Sequence, residues 1–204
     1  SSYPPPSSPP PPPLKGVTLG VFKPWFDDAA PEVVQQCQAA VDRLVAAGAT
    51  VREVNLPNLG WLRLAHALKI SSEFASGWDA AYHSPDSDLL EPATRITVAL
   101  GASSTALDVL SAEKMRGWAF EHVHAIFDGG VDAIVTPTTS VTAPVIEPGA
   151  TEFGESNTPL QVELLKYVFL GNFLGLPGIS VPVGLDPTND GMPVGLQLMG
   201  AQWS

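Results

Sequence analysis

The stretch from Thr158 to Gly200 restricts what this chain can fold into more than any other. Thr158-Pro159-Leu160-Gln161 has the form of a capping box, with a hydroxyl at the N-cap, proline at the first helical position and an amide at Gln161. One helix is predicted to run on from Val162 to Leu174, apolar on nearly every face after Lys166. Such a helix belongs inside a protein. Gly175 and Pro177 stop it. Two short strands are predicted next, Ile179–Val183 and Val194–Met199, joined by a loop holding Asp186-Pro187-Thr188-Asn189-Asp190-Gly191. Glycines from Gly171 to Gly200 recur so often that backbone must pass close to backbone.

The 204 residues suit one domain or a large piece of one, and 45% hydrophobic against 15% charged residues is enough to build a core. A formal charge of −11 argues against nucleic acid and anionic membrane surfaces as partners. The single cysteine, Cys37, excludes an intrachain disulfide framework and fits a reducing compartment, leaving an intracellular or a membrane-peripheral place open. No run of about eighteen apolar residues marks a transmembrane helix. No signal peptide is visible, and the opening residue is not methionine, so an upstream portion is expected.

Residues 1–14 are proline and serine almost throughout and read as a polyproline II linker or loop, with a ligand for a proline-binding module as the alternative. Val17–Phe22 and Thr50–Val54 read as strands around a helix from Pro31 to Ala47, on which Val34, Cys37, Val41, Leu44 and Val45 share a face. Strand, helix, strand in this order is a βαβ unit, so the two strands are expected to lie parallel. Further helices are predicted over Trp61–Tyr82, Ala93–Leu100 and Thr105–Phe127. In the last, Leu107, Leu110, Met115, Trp118 and His122 are expected to be buried, and Glu113, Lys114, Arg116 and Glu121 solvated. Val131–Thr136 is a short apolar strand, and Pro137-Thr138-Thr139 turns off its carboxyl end, where open α/β sheets bind ligands.

Residue by residue, no complete active site emerges. His122 and His124 stand two apart on a helix and face different ways, which is not metal-site spacing, and no carboxylate or cysteine completes a set. No metal or cofactor is expected. Asp27 and Asp28 are expected to serve a helix amino end, and Cys37 to be an inert core thiol. Serine–lysine pairs can form a nucleophile and base, which draws attention to Ser103 and Ser104 with Lys114, and to Ser71 and Ser72 with Lys69. The first two serines stand ahead of a helix, where hydroxyls cap free amides. The second pair sits inside a helix with no glycine-rich backbone to form an oxyanion hole.

Three phrases carry a resemblance: DAIVTPTT (Asp132–Thr139), NFLGLPGISVPVG (Asn172–Gly184) and GMPVGLQLMG (Gly191–Gly200). Together they resemble the carboxy-terminal part of the amidase signature family. PTTSVTAPVI (Pro137–Ile146), GESN (Gly154–Asn157), WFDD (Trp25–Asp28), Ala65-His66 and Ile70-Ser71-Ser72-Glu73 are similar to the plant-type fatty acid amide hydrolases of that family. The resemblance covers roughly Lys15 to the end. It implies an α/β fold, the carboxy-terminal part of an α/β/α domain over 15–204 whose mixed sheet is covered by helices. A βαβ unit lies near its start and a β-hairpin near its end.

The family hydrolyses linear amides through a lysine on an early strand and two serines in a glycine- and serine-rich signature. Neither is found here, so this chain alone is expected to be inactive. A closing helix expected after Gln202-Trp203 is missing as well. The resemblance implies that the parent takes fatty acid amides such as N-acylethanolamines, and that this piece supplies scaffold and acyl-pocket wall. Leu164, Leu165 and Val168 are the candidate wall residues, with plain core packing as the alternative for each. Two other readings stay open: a non-catalytic remnant or interaction piece, and an amidotransferase component that releases ammonia for transfer RNA amidation.

Overall fold

The computed structural model describes residues 14–150, 154 and 157–203. The proline-rich linker therefore lies, apart from Leu14, outside the described residues. Strand β1 (Thr18–Val21) passes through the single-turn α1 (Lys23–Phe26) into α2 (Pro31–Ala46) and then β2 (Thr50–Glu53). Proline opens α2 at its first position, where a missing N–H costs nothing. Val33, Cys37, Ala40 and Val41 form its buried stripe. Val45 was expected on that face but falls off the side of it and is exposed.

β1 pairs parallel with β2 and with β3 (Ala133–Pro137), so the predicted βαβ unit is present. The chain then closes the sheet with a hairpin, β4 (Gly178–Asp186) and β5 (Met192–Gly200), each strand longer than the sequence predicts. β5 runs antiparallel to both β3 and β4, and the order across the sheet is β2-β1-β3-β5-β4. Alternation sends Ile134 to one face and Val135 to the other, both fully buried. Val135, Leu196 and Val194 meet α2, while Ile134 and Met199 meet α3 (Leu59–Tyr82), α5 (Ala106–Asp128) and the apolar residues of Phe169–Leu174. Helices thus cover both faces of a mixed sheet. Among the described residues no helix is long and apolar enough to cross a membrane.

Two expectations are corrected by packing. Along α5 the buried residues are Ala112, Ala119, Val123 and Phe127, with Met115 half-buried, whereas Leu107 (75% exposed), Leu110 and Trp118 face outward. The helix lies against its neighbours on Ala112, Ala119, Val123 and Phe127, where the two small alanines let the backbones approach. Hydrophobicity alone pointed to the bulkier face. Of the four residues expected to be solvated, Glu113 and Arg116 are half-buried: Glu113 pairs with Lys69, and Arg116 donates to the Phe173 carbonyl at 2.6 Å.

The single helix predicted after Thr158 is two, α6 (Thr158–Leu165) and α7 (Phe169–Leu174). At the break, the carbonyls of Lys166 and Tyr167 accept side-chain donors, Trp25 Nε1 at 3.3 Å and Gln197 Nε2 at 3.2 Å. Partners from α1 and β5 therefore bind backbone groups that a continuous helix would use. Nor does Thr158 cap α6. Asn157 does, its side chain accepting from Leu160 N at 3.2 Å. A capping box is present instead at α5, where Thr105 and Asp108 bond reciprocally.

Between α3 and α4 (Pro92–Ala102), Gly101 lies against the Ser71 carbonyl, and a Cβ there would also fall 2.9 Å from that of Ala75. Gly77, on α3, has open space around it. Gly101→Ala should cost about 1–3 kcal/mol by overpacking. Gly77→Ala should gain about 0.5–1 kcal/mol from helix propensity. Urea melts of the two variants check both signs.

Candidate functional site

The carboxyl end of β3 carries polar side chains where an apolar strand would be simpler. Thr136, Thr138, Gln197 and Ser180 share one sheet face, since each is paired across the register or two residues along its strand. Gln197 Nε2 donates to Thr136 Oγ1 at 3.1 Å as well as to the Tyr167 carbonyl. Thr138 Oγ1 and Ser180 Oγ lie 2.6 Å apart. They meet across β5 because the residue between them is Gly195, whose Cβ would fall 2.7 and 2.8 Å from the two oxygens. Ser180 is exposed and Thr138 half-exposed, so this neutral strip can donate to and accept from a polar ligand without carrying charge.

Beside it stands a charged cluster. Lys166, only 6% exposed, donates to the Asp28 carbonyl at 2.9 Å and its carboxylate at 3.0 Å, and pairs with Glu163 at 2.7 Å. Ser140, fully buried after β3, donates to the carbonyl and carboxylate of Glu163 at 2.8 and 2.5 Å. Burial works against the Lys166 charge, yet the hydrogen bonds it donates to Glu163 and Asp28 outweigh it and leave its pKa above the ordinary lysine value. The Lys166 ammonium, then the Ser140 hydroxyl, hold Glu163 below the usual glutamate range. Tyr167 beside them donates to the Trp25 carbonyl at 2.9 Å, and its pKa is raised chiefly by burial. The cluster pins α1 to α6 and to the turn after β3, so its chemistry is that of a clamp.

The candidate wall residues come from the end of α6 and the break after it. Leu164 and Val168 are half-buried and Leu165 is 56% exposed. The serine–lysine pairs are not assembled. Lys69 pairs with Glu113 at 2.5 Å and Glu73 at 2.7 Å, which raise its pKa, while the Ser72 hydroxyl donates to the Leu68 carbonyl. Ser103 does not cap free amides as expected; its hydroxyl turns back to the Leu100 carbonyl at the end of α4. Lys114 shares a shallow notch with Ser111, whose hydroxyl goes to the Leu107 carbonyl. Among the described residues no serine hydroxyl is hydrogen-bonded to a lysine.

Asp27 and Asp28 do not serve the start of α2, whose N-cap is Ala30. Asp27 pairs with Lys23 at 2.6 Å, and Asp28 with Lys166. Cys37 is buried against the Gly195 carbonyl, and burial pushes its thiol up to about 12. His122 stacks on Trp118 and bonds the Asn55 carbonyl, while His124 meets Phe120 and Gln202. Sequence reading missed the Lys166 cluster, although a lysine in an otherwise apolar run was its signal. It also left His66 without a place. That ring is half-buried against Phe169 and Phe173, and its pKa is lowered mainly by burial.

A mixed sheet with helices on both faces defines an α/β protein, with a polar strip where its central strand ends. The family model for amidases matches residues 3–204, and the chain belongs to that family. It is 38% identical over 193 residues to a fatty acid amide hydrolase of Medicago truncatula, covering 94% of this chain and 31% of that protein. It is 32% identical over 213 residues to a glutamyl-tRNA(Gln) amidotransferase subunit of Methylorubrum populi, covering 92% and 41%. A crystal structure of an amidase superposes with a TM-score of 0.79 at 24% identity, over 93% of this chain and 42% of that one, and shows the shared fold. The chain spans about a third of the length of the plant hydrolase it matches.

The clamp has a pH signature. Because Glu163 is held below its unfolded value, its contribution is full above the ordinary glutamate range and is lost as pH falls through the depressed value. Lys166, held above its own unfolded value, contributes fully below that value and loses its contribution as pH rises through the raised one. Glu163 is partly exposed, so Glu163→Gln should cost below about 1 kcal/mol at neutral pH. That gap should close on acidification in thermal melts run from pH 7 to pH 3, roughly spanning the ordinary glutamate value.

Proposed function

We propose that the protein to which this segment belongs hydrolyses the C–N bond of linear amides, with fatty acid amides such as N-acylethanolamines as the substrate class. The observation that carries this is the 38% identity to the Medicago truncatula fatty acid amide hydrolase across 94% of this chain. The family's chemistry then applies to the parent. A serine attacks the amide carbonyl, a second serine passes protons between lysine, nucleophile and leaving amine, and water releases the acyl group. Those three residues are assigned to polypeptide outside this chain, and the chain by itself is inactive. Residues 15–204 serve as scaffold and as one wall of the acyl channel. Leu164, Leu165 and Val168 are proposed to line that channel, an assignment supported by the incomplete burial of all three.

A reading as an amidotransferase component rests on the 32% identity to the Methylorubrum populi protein, and the higher plant identity disfavours it. A non-catalytic interaction piece is the remaining alternative. Expression of the full coding sequence decides among the three. The full protein should release free fatty acid from N-acylethanolamines and take a fluorophosphonate label, whereas the isolated 204-residue chain should do neither. Labelling of the isolated chain overturns the assignment of the nucleophile to another stretch. In the full protein, Leu165→Asp should lower kcat/KM for long-chain amides by about tenfold, roughly 1.4 kcal/mol, and spare short ones. Equal rates for long chains remove Leu165 from the channel.

A further inference from the structure

Helix α6 has little packing of its own to hold it. None of its residues from Thr158 to Leu165 is buried, and its 8 residues are too few to stand by propensity alone. Polar ties fix it instead. Asn157 caps its amino end, the Ser140 hydroxyl reaches the carbonyl and carboxylate of Glu163, and Lys166 stands at its carboxyl end. An ammonium group has three N–H donors. Those of Lys166 meet three acceptors: the Asp28 carbonyl at 2.9 Å, the Asp28 carboxylate at 3.0 Å and the Glu163 carboxylate at 2.7 Å. The group is therefore held from every side. Stability alone does not call for a charge here, since a buried ion pair often adds no more than apolar side chains of similar volume. What the charge adds is direction, because its hydrogen bonds are strong and geometrically specific.

We propose that Lys166 is a positioning residue for the acyl chain: by tying α6 to the end of α1 and to the turn after β3, it sets where Leu164, Leu165 and Val168 stand, and so how well a long chain is held. This rests on the reading of those three as channel wall. Leu164 and Leu165 immediately precede Lys166, and Val168 follows two residues on, in the break before α7. Leu165 is 56% exposed, so with little packed around it the backbone sets its direction. The lysine acts only through this wall. Trp25 and Gln197 bind the carbonyls at the break independently of the ammonium, so the break itself should survive loss of the charge.

The test uses the full protein, with active sites counted by fluorophosphonate labelling so that misfolded molecules drop out of the rates. Lys166→Met and Asp28→Asn should each raise KM for long-chain amides about fivefold, keep kcat within about twofold, and leave KM for short-chain amides unchanged. Asp28 is 55% exposed, so its variant is the milder one and carries the test if Lys166→Met does not fold. Lys166→Arg keeps the charge and the donors and should restore most of the long-chain preference. Hydrogen exchange at residues 163–168 should speed up about tenfold in Asp28→Asn. A lysine that merely stabilises the fold would lower the number of labelled sites and leave the ratio of long-chain to short-chain KM at its wild-type value. That result sinks the proposal, as does a KM rise that Lys166→Arg shares in full or exchange that stays at the wild-type rate. A wild-type protein that hydrolyses no amide removes the channel reading and this proposal with it. If Leu165→Asp impairs long-chain turnover while the Lys166 and Asp28 variants keep the wild-type KM ratio, the wall stands and only the positioning role falls.

Discussion

The hydrogen bonding of β3 on both sides is the constraint on which the remaining architecture hangs. It accepts β1 in parallel and β5 in antiparallel register, and no other described strand joins the two halves. A parallel neighbour demands a helical crossover, while an antiparallel pair can be joined by a short turn. The first half is accordingly a βαβ unit, and the second a hairpin turning at Asp186, whose carboxylate accepts from the Thr188 amide and hydroxyl. With Ile134 and Val135 buried on opposite faces, β3 also carries the two hydrophobic clusters away from each other.

What projects beyond the end of β3 follows from this. Once the apolar residues of the strand are spent inside, the chain leaves the sheet through threonines and Ser140. Their hydroxyls meet the hairpin on one side and α6 on the other. The glycine at 195 lets Thr138 and Ser180 meet across an intervening strand, which no residue with a side chain would allow. Lys166 then ties α1 to α6, and its burial is tolerable because two carboxylates and a carbonyl surround it. The polar strip and the clamp are separate in role. One is neutral and reaches solvent at Ser180, the other charged and centred on the buried Lys166.

Much of this was legible in the order of residues alone. Helix α2 and its flanking strands followed from periodicity, and the phrases around Thr136, Gly175 and Gly195 carried the family. The failures share a cause. Leu107, Leu110 and Trp118 were placed inside because periodicity ranks faces by greasiness, whereas α5 packs on the face of Ala112, Ala119, Val123 and Phe127, where two small residues allow close approach. The continuous helix after Thr158 failed because Trp25 and Gln197, remote in the chain, supply donors to the carbonyls at Lys166 and Tyr167. Asp28 was read as a helix-end charge because its partner stands at position 166.

The amino-acid sequence by itself determined the element types, the parallel pairing of the first two strands and membership of the amidase family. These depend on spacings within a few residues of one another. Only the tertiary structure decided which face of α5 is buried, where the helix before the hairpin breaks, and that the hydroxyls of Thr138 and Ser180 touch. Each of those depends on groups brought together from distant parts of the chain, whose free energy appears only when the sheet is closed.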